Sequence, residues 1–126
     1  MATISFDFDH TIWDDDEREF IWETVELLRR HLANGDRVII TTSRPEKWID
    51  ECRDLLMRLG LSLEVFSAPG HPEWDAMRTK SQVLIEQNVT IHLDDMPEWA
   101  GLREARSAGI EIRLPPATNA VRIRMY

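Results

Sequence analysis

The sequence predicts a doubly wound α/β domain, a three-layer arrangement around a mostly parallel sheet of five strands. Three observations carry this prediction. Short β-rich segments alternate with amphipathic helical segments along the whole chain. The segment RVIIT at 37–41 is almost wholly apolar, as a strand buried on both faces must be. Gly and Pro fall where one segment gives way to the next.

Taken in order, TISFDF at 3–8 is short and β-rich and reads as the first strand. A helix is expected from about 17 to 33, with Ile21, Val25, Leu28 and Leu32 at helical spacing. Asp16 and Glu19 resemble a capping box at its start, and Gly35 is its stop signal. RVIIT is the second strand. Pro45 suits the first turn of a helix whose apolar face is Ile49, Cys52, Leu56 and Leu59 and which Gly60 ends. LSLEVF at 61–66 alternates as a third strand, and the Pro and Gly of 67–75 mark a loop. A helix over 79–87 leads into a fourth strand, VTIHL at 89–93. Pro97 opens a last helix, Gly109 closes it, and IEIRL at 110–114 is the fifth strand. NAVRIRMY at 119–126 alternates and is expected to add an edge strand with charged outward residues.

The 126 residues suit a single domain spanning 1–126 and large enough to bury a core. No run of about 18 apolar residues occurs, so no membrane span is expected. The start, MATISFDFD, has neither the basic region nor the apolar stretch of a signal peptide, so a cytoplasmic protein is expected. A single cysteine, Cys52, excludes an internal disulfide and a cysteine-based zinc site; on the apolar face of its helix it reads as core. The net charge of −8 weighs against a nucleic-acid surface, although Arg113, Arg122 and Arg124 form a basic end.

In a doubly wound sheet the ligand site lies beyond the carboxyl ends of the strands. Asp7, Asp9 and Thr11 follow the first strand; Thr42, Ser43 and Arg44 follow the second; Asp94 and Asp95 follow the fourth. Lys80 opens the helix before that fourth strand. All four groups fall on one rim. Carboxylates converging there repel one another unless a cation lies between them, and hard oxygen ligands favour Mg²⁺. A divalent ion, a lysine and a hydroxyl around a carboxylate make a pocket for a phosphoryl group.

The order and context of these groups resemble the haloacid dehalogenase-like superfamily of phosphohydrolases. FDFDHT matches its first motif, VIITTSR its second, Lys80 in RTKSQVL its third and IHLDD its fourth, so the likeness runs from residue 3 to about 114. The resemblance implies Asp7 as the nucleophile of an aspartyl-phosphate and Asp9 as the general acid–base. It implies Thr42 and Lys80 as holders of the phosphoryl oxygens. It implies Mg²⁺ held by Asp7, the Asp9 backbone carbonyl and Asp94, with Asp95 acting through water. Thr11, Ser43, Arg44 and His10 are candidate substrate contacts; His10 stands where that family most often has Gly.

No segment between the motifs is long enough for a cap domain, so the resemblance implies a capless member with an open site. Its substrate is then a phosphorylated molecule such as a nucleotide, a nucleic-acid end or another large phosphomonoester. A second copy or a partner covering the site is the other possibility that an open site leaves. TSRP and the small size are similar to the phosphatase domain of polynucleotide kinase 3′-phosphatases. Two rivals use comparable residues. A PIN-like nuclease gathers acids at strand ends around two metals without needing Thr42 or Lys80. A receiver-like module accepts phosphate on an Asp ending its third strand, where this chain has VFSAPG.

The remaining candidates have plain readings beside functional ones. DDDE at 14–17 suits a helix N-terminus, with a second metal site as the alternative. His92 reads as a satisfied core or interface histidine, His31 as a cation at a helix end, and His71 as a loop residue that is solvated or touches substrate. Trp13, Trp48, Trp74 and Trp99 lie close to the motifs, as packing anchors or as platforms for a nucleobase.

Overall fold

The computed structural model describes residues 1–116; the expected edge strand at 119–126 lies outside the described residues. In chain order the elements begin with β1 (Thr3–Phe6), β2 (Trp13–Asp14), β3 (Glu19–Phe20), α1 (Trp22–Ala33) and β4 (Arg37–Thr42). They continue with α2 (Ile49–Arg58), β5 (Glu64–Ser67), α3 (Lys80–Glu86), β6 (Ile91–Leu93), α4 (Arg103–Ser107) and β7 (Glu111–Arg113). Five strands form one parallel sheet in the order β5-β4-β1-β6-β7. The α/β class and the parallel sheet are therefore as the sequence predicts.

The alternation of each central strand decides what packs on each face. Ile4, Phe6, Val38 and Ile40 join Val25 and Leu28 of α1 and Cys52, Leu55 and Leu56 of α2 in one core cluster. Ile39 faces the other way and joins Leu84 of α3, Leu102, and Ala105 of α4 in a second. Fully burying one such large aliphatic side chain contributes about 1.5–3 kcal/mol. Burial pushes the Cys52 thiol up to about 12, which makes it an inert core residue.

Three expectations change. The segment expected to open the first helix is instead the β2–β3 hairpin. Asp14 Oδ1 accepts from the backbone N–H groups of Asp16 and Glu17, each at 3.1 Å, so DDDE builds a turn rather than a helix N-terminus. Helix α1 begins only at Trp22, with Ile21 at its N-cap and no side-chain cap; the hairpin meanwhile buries Trp13 against Phe20. The third strand lies later than 61–66, at Glu64–Ser67. The last helix does not start at Pro97: Ala100–Leu102 form a 3₁₀ turn and α4 follows. The Trp99 indole lies over Gly101 so closely that a side chain there would meet its ring nitrogen.

The layer of α3 and α4 is pinned by one buried hydroxyl. Ser81 Oγ donates to the Gly101 carbonyl at 2.6 Å and accepts from the Ala105 N–H at 2.9 Å. Ser81→Ala leaves both backbone groups buried without that partner. Urea unfolding should show a loss of about 1–3 kcal/mol with an unchanged slope; a change within error would mean that the two helices hold together by apolar contact alone.

Candidate active site

The site forms where the chain reverses its direction of travel across the sheet, in the crevice between β1 and β6. The Asp7 N–H donates to the Leu93 carbonyl at 2.8 Å, carrying the β1–β6 pairing one residue past the strand. The chain then coils tightly: the Phe8 carbonyl accepts from the N–H groups of Thr11, Ile12 and Trp13 at 3.2, 2.9 and 3.1 Å. His10 takes the left-handed conformation in this coil, with φ 61°, which explains why Gly suits this position. Asp94 leaves β6 with its N–H on the Arg113 carbonyl at 3.0 Å. A full capping box between Thr79 and Gln82 fixes the first turn of α3, where Lys80 stands.

These elements bring together most of the residues predicted from the strand ends. Lys80 Nζ donates to Asp7 Oδ1 at 2.9 Å and to Asp94 Oδ2 at 2.6 Å, and all three side chains are buried. Thr11 Oγ1 donates to Asp7 Oδ2 and accepts from the Asp95 N–H, both at 3.2 Å. Oxygens of Asp7, Asp94 and Asp95 lie within 4.8 Å of one another. Asp7, Asp9, Thr42, Lys80, Asp94 and Asp95 line a cavity of about 280 Å³. His10, Ser43 and Trp99 share its wall, whereas Thr11 is fully buried behind Asp7 and steadies that carboxylate. Arg78, the other cation near the third motif, pairs with Glu86 at the surface.

Charge is out of balance here. Burial opposes the charge on Lys80, but Asp7 and Asp94 outweigh it and raise the ammonium above its ordinary range. Burial also works against an ionised Asp94; Lys80 and His92 overcome it and hold that carboxyl low. One lysine does not balance three carboxylates. Burial raises Asp7 despite Lys80, and burial together with Asp7 pushes Asp95 up to about 8.

Asp9 has a different partner. Arg44 Nε donates to Asp9 Oδ2 and Arg44 Nη2 to Asp9 Oδ1, both at 2.8 Å, a bidentate pair. Glu51 takes the remaining arm of the guanidinium at 2.8 Å. The pair stands at the boundary with an outer cavity of about 400 Å³, which shares Asp9 and His10 with the inner one and has Trp48 and Glu51 in its wall. Glu51 escaped the sequence reading, since nothing in its spacing ties it to Arg44.

The tryptophans divide. Trp13 is buried in the main core, so it is a packing anchor and not a platform. Trp48 and Trp99 line the outer and inner cavities. Trp74 is 76% exposed, and its ring stacks on His71 at 3.7 Å. His71 is thereby buried rather than solvated. His10, Asp14 and Asp16 also bring ligand-type atoms within 4.8 Å of one another, but the Asp14 carboxylate there is holding the hairpin turn. His92 is buried against Asp94, a contact the sequence does signal: the two are two residues apart leaving one strand and so share a face.

No family model matches the chain, and no curated protein matches it. A solved structure does: the D,D-heptose 1.7-bisphosphate phosphatase from B. bronchiseptica, complexed with magnesium and phosphate. The two superpose with a TM-score of 0.62 over 90% of this chain and 80% of that one, at 17% identity. The two share one fold, α/β layers around a parallel sheet. At this identity the likeness speaks for the architecture, and the chemistry rests on the residues above. Among the described residues, no helix is long and apolar enough to cross a membrane.

The raised Asp95 carboxyl has a measurable consequence. Between the ordinary value of 3.8 and about 8 the folded protein keeps a proton that the unfolded chain has released. Stability therefore falls as pH rises through that window. The Tm of metal-free protein should drop between pH 5 and 8 and level off above it, and Asp95→Asn, which has no proton to lose, should flatten the drop. Parallel profiles for the two proteins would contradict the assignment.

Proposed function

We propose that the chain is a Mg²⁺-dependent phosphatase that cleaves a phosphomonoester through an aspartyl-phosphate on Asp7. The observation that carries this reading is the Lys80 ammonium shared by Asp7 and Asp94 at the head of a cavity that Thr42 and Asp9 complete. The donor set fits a hard divalent cation. Three carboxylates lie within 4.8 Å, one lysine leaves them in excess, and the only cysteine is buried in the apolar core. Asp7, Asp94, Asp95 and the Asp9 backbone carbonyl would hold it. When bound, the metal supplies the positive charge that lets a phosphate dianion approach an aspartate.

The remaining work falls to the protein's own groups. Thr11 and Lys80 fix one oxygen each of Asp7, so the nucleophile cannot turn away from the cavity. Lys80 and the Thr42 hydroxyl bind phosphoryl oxygens, and Ser43 reaches the same wall. Asp9 stands between the two cavities, a position that suits proton transfer to the leaving oxygen of a substrate with its phosphate in the inner cavity and its remainder in the outer one. Arg44 orients Asp9 there and is the candidate contact for that remainder, together with His10.

The same geometry weighs against the two rivals. A two-metal nuclease needs room for a second cation, and Lys80 occupies the space between Asp7 and Asp94. A receiver-like module places its acceptor Asp on another strand and has no use for a second carboxylate such as Asp9. We read the chain as one capless domain. Only a hairpin and α1 separate Thr11 from β4, and only α2, β5 and a loop separate Arg44 from Lys80. An uncovered site suits a nucleotide, a phosphorylated nucleic-acid end or another large substrate, in line with the likeness to polynucleotide 3′-phosphatases, or a site that a partner or a second copy covers.

Asp7→Asn should abolish Mg²⁺-dependent turnover of p-nitrophenyl phosphate and the beryllium fluoride adduct, seen by ¹⁹F NMR. Asp9→Asn should lower kcat for alkyl phosphates by about 10²–10⁴-fold while still accumulating phosphorylated protein from p-nitrophenyl phosphate, whose leaving group needs no proton. An adduct that survives Asp7→Asn would falsify the assignment of the nucleophile.

A further inference from the structure

A chain of hydrogen bonds enters the site from inside the sheet. Thr41 Oγ1 and Ser5 Oγ lie 2.8 Å apart, Ser5 Oγ and His92 Nδ1 2.9 Å, and His92 Nε2 and Asp94 Oδ2 2.9 Å. Thr41, Ser5 and His92 are fully buried and sit on the adjacent strands β4, β1 and β6. Polar groups are costly at such a depth unless every one is partnered, and small apolar residues would fill a sheet face without that demand. The function proposed above leaves these three side chains without a task.

Their chemistry sets the direction of the chain. The Asp94 carboxylate only accepts, so His92 carries its hydrogen on Nε2. In the neutral imidazole Nδ1 is then the acceptor of the Ser5 hydroxyl, and Ser5 accepts from Thr41. Every donor points toward Asp94. Its Oδ2 receives both His92 and Lys80, and its Oδ1 receives the Met96 N–H at 2.9 Å. Lys80 alone would not fix the plane of this carboxylate, because a four-carbon stem follows either oxygen as the group rotates. An imidazole seated in a strand does not follow.

We infer that His92, its ring held between Asp94 and the Ser5–Thr41 hydroxyl pair, is a positioning residue that sets the orientation of the Asp94 carboxylate for a divalent cation. This rests on Asp94 being a metal ligand, as the proposed function has it. Groups that orient metal ligands in this way are worth about 10–100-fold in metal affinity.

The test is Mg²⁺ titration of the metal-free full chain by calorimetry, beside ¹⁵N NMR of the His92 ring. His92→Phe, which keeps an apolar ring and removes the N–H, should weaken Mg²⁺ binding by about 10–100-fold. His92→Gln, which offers an amide N–H near the position of Nε2, should restore part of it. Ser5→Ala removes a hydroxyl that touches neither Asp7 nor Asp94. It should weaken binding by a few-fold, because the ring loses the partner that holds its Nδ1 side. Unchanged Mg²⁺ affinity in both His92→Phe and Ser5→Ala, with only Tm lowered, would leave His92 a structural residue and overturn the inference alone. A wild-type ring carrying its hydrogen on Nδ1 would overturn it too, and that result needs no variant to fold. A wild-type chain that binds no Mg²⁺ at all would take the phosphatase reading down with it.

Discussion

The Lys80 ammonium, buried between Asp7 and Asp94, is the constraint on which the site depends. A lone buried ammonium is prohibitive, and so is a buried carboxylate without a counter-charge. Each needs the other, and Asp95 adds a further carboxyl that no cation among the described residues pairs with. The folded chain is thus short of positive charge at one point. It meets the deficit by keeping a proton on the carboxylates; a divalent cation in the same place would meet it more completely. On the proposed reading, an aspartate able to attack phosphorus emerges only in the second case.

The parallel sheet makes this arrangement possible. The charged groups come from the ends of β1 and β6 and from the first turn of α3, remote in sequence but adjacent where the strand order reverses. The Thr79–Gln82 capping box holds the start of α3, so Lys80 is presented by a rigid turn and not by a loop. The apolar clusters on the two faces close the sheet on either side and leave its carboxyl edge open to a ligand. Thr11, Ser81 and the Ser5–His92 pair are buried polar groups tied to that edge or to the helices that carry it.

Much of this was legible because apolar strand runs end abruptly in charge. Asp7, Thr42 and Asp94 each follow such a run, and Lys80 follows a Thr that caps a helix. The hairpin was not legible from DDDE, since aspartates satisfy the free N–H groups of a turn as readily as those of a helix start. Burial of Trp13 with Phe20 packed against it broke the tie, and that is a tertiary fact. The Asp9–Arg44 pair joins residues 35 apart, so no local pattern could announce it. His71 misled in the same way: its loop is polar in sequence, yet Trp74 and Trp99 enclose the imidazole. His92 differs from these, because the two-residue period of a strand already placed it beside Asp94.

Asp7 and Asp9 are two residues apart and chemically identical, yet the structure gives them unlike surroundings. Asp7 is buried, paired with a lysine and steadied by a threonine. Asp9 is half-buried and held by an arginine that also answers to Glu51. Two like carboxyls in contrasting environments are what a reaction needs when one must attack and the other must manage a proton. Asp7 still pairs with β6 through its N–H, whereas Asp9 has left the sheet and stands where the inner and outer cavities meet. On the proposed reading, the division of labour between the two aspartates is secured by two cations, Lys80 on the inner side and Arg44 on the outer.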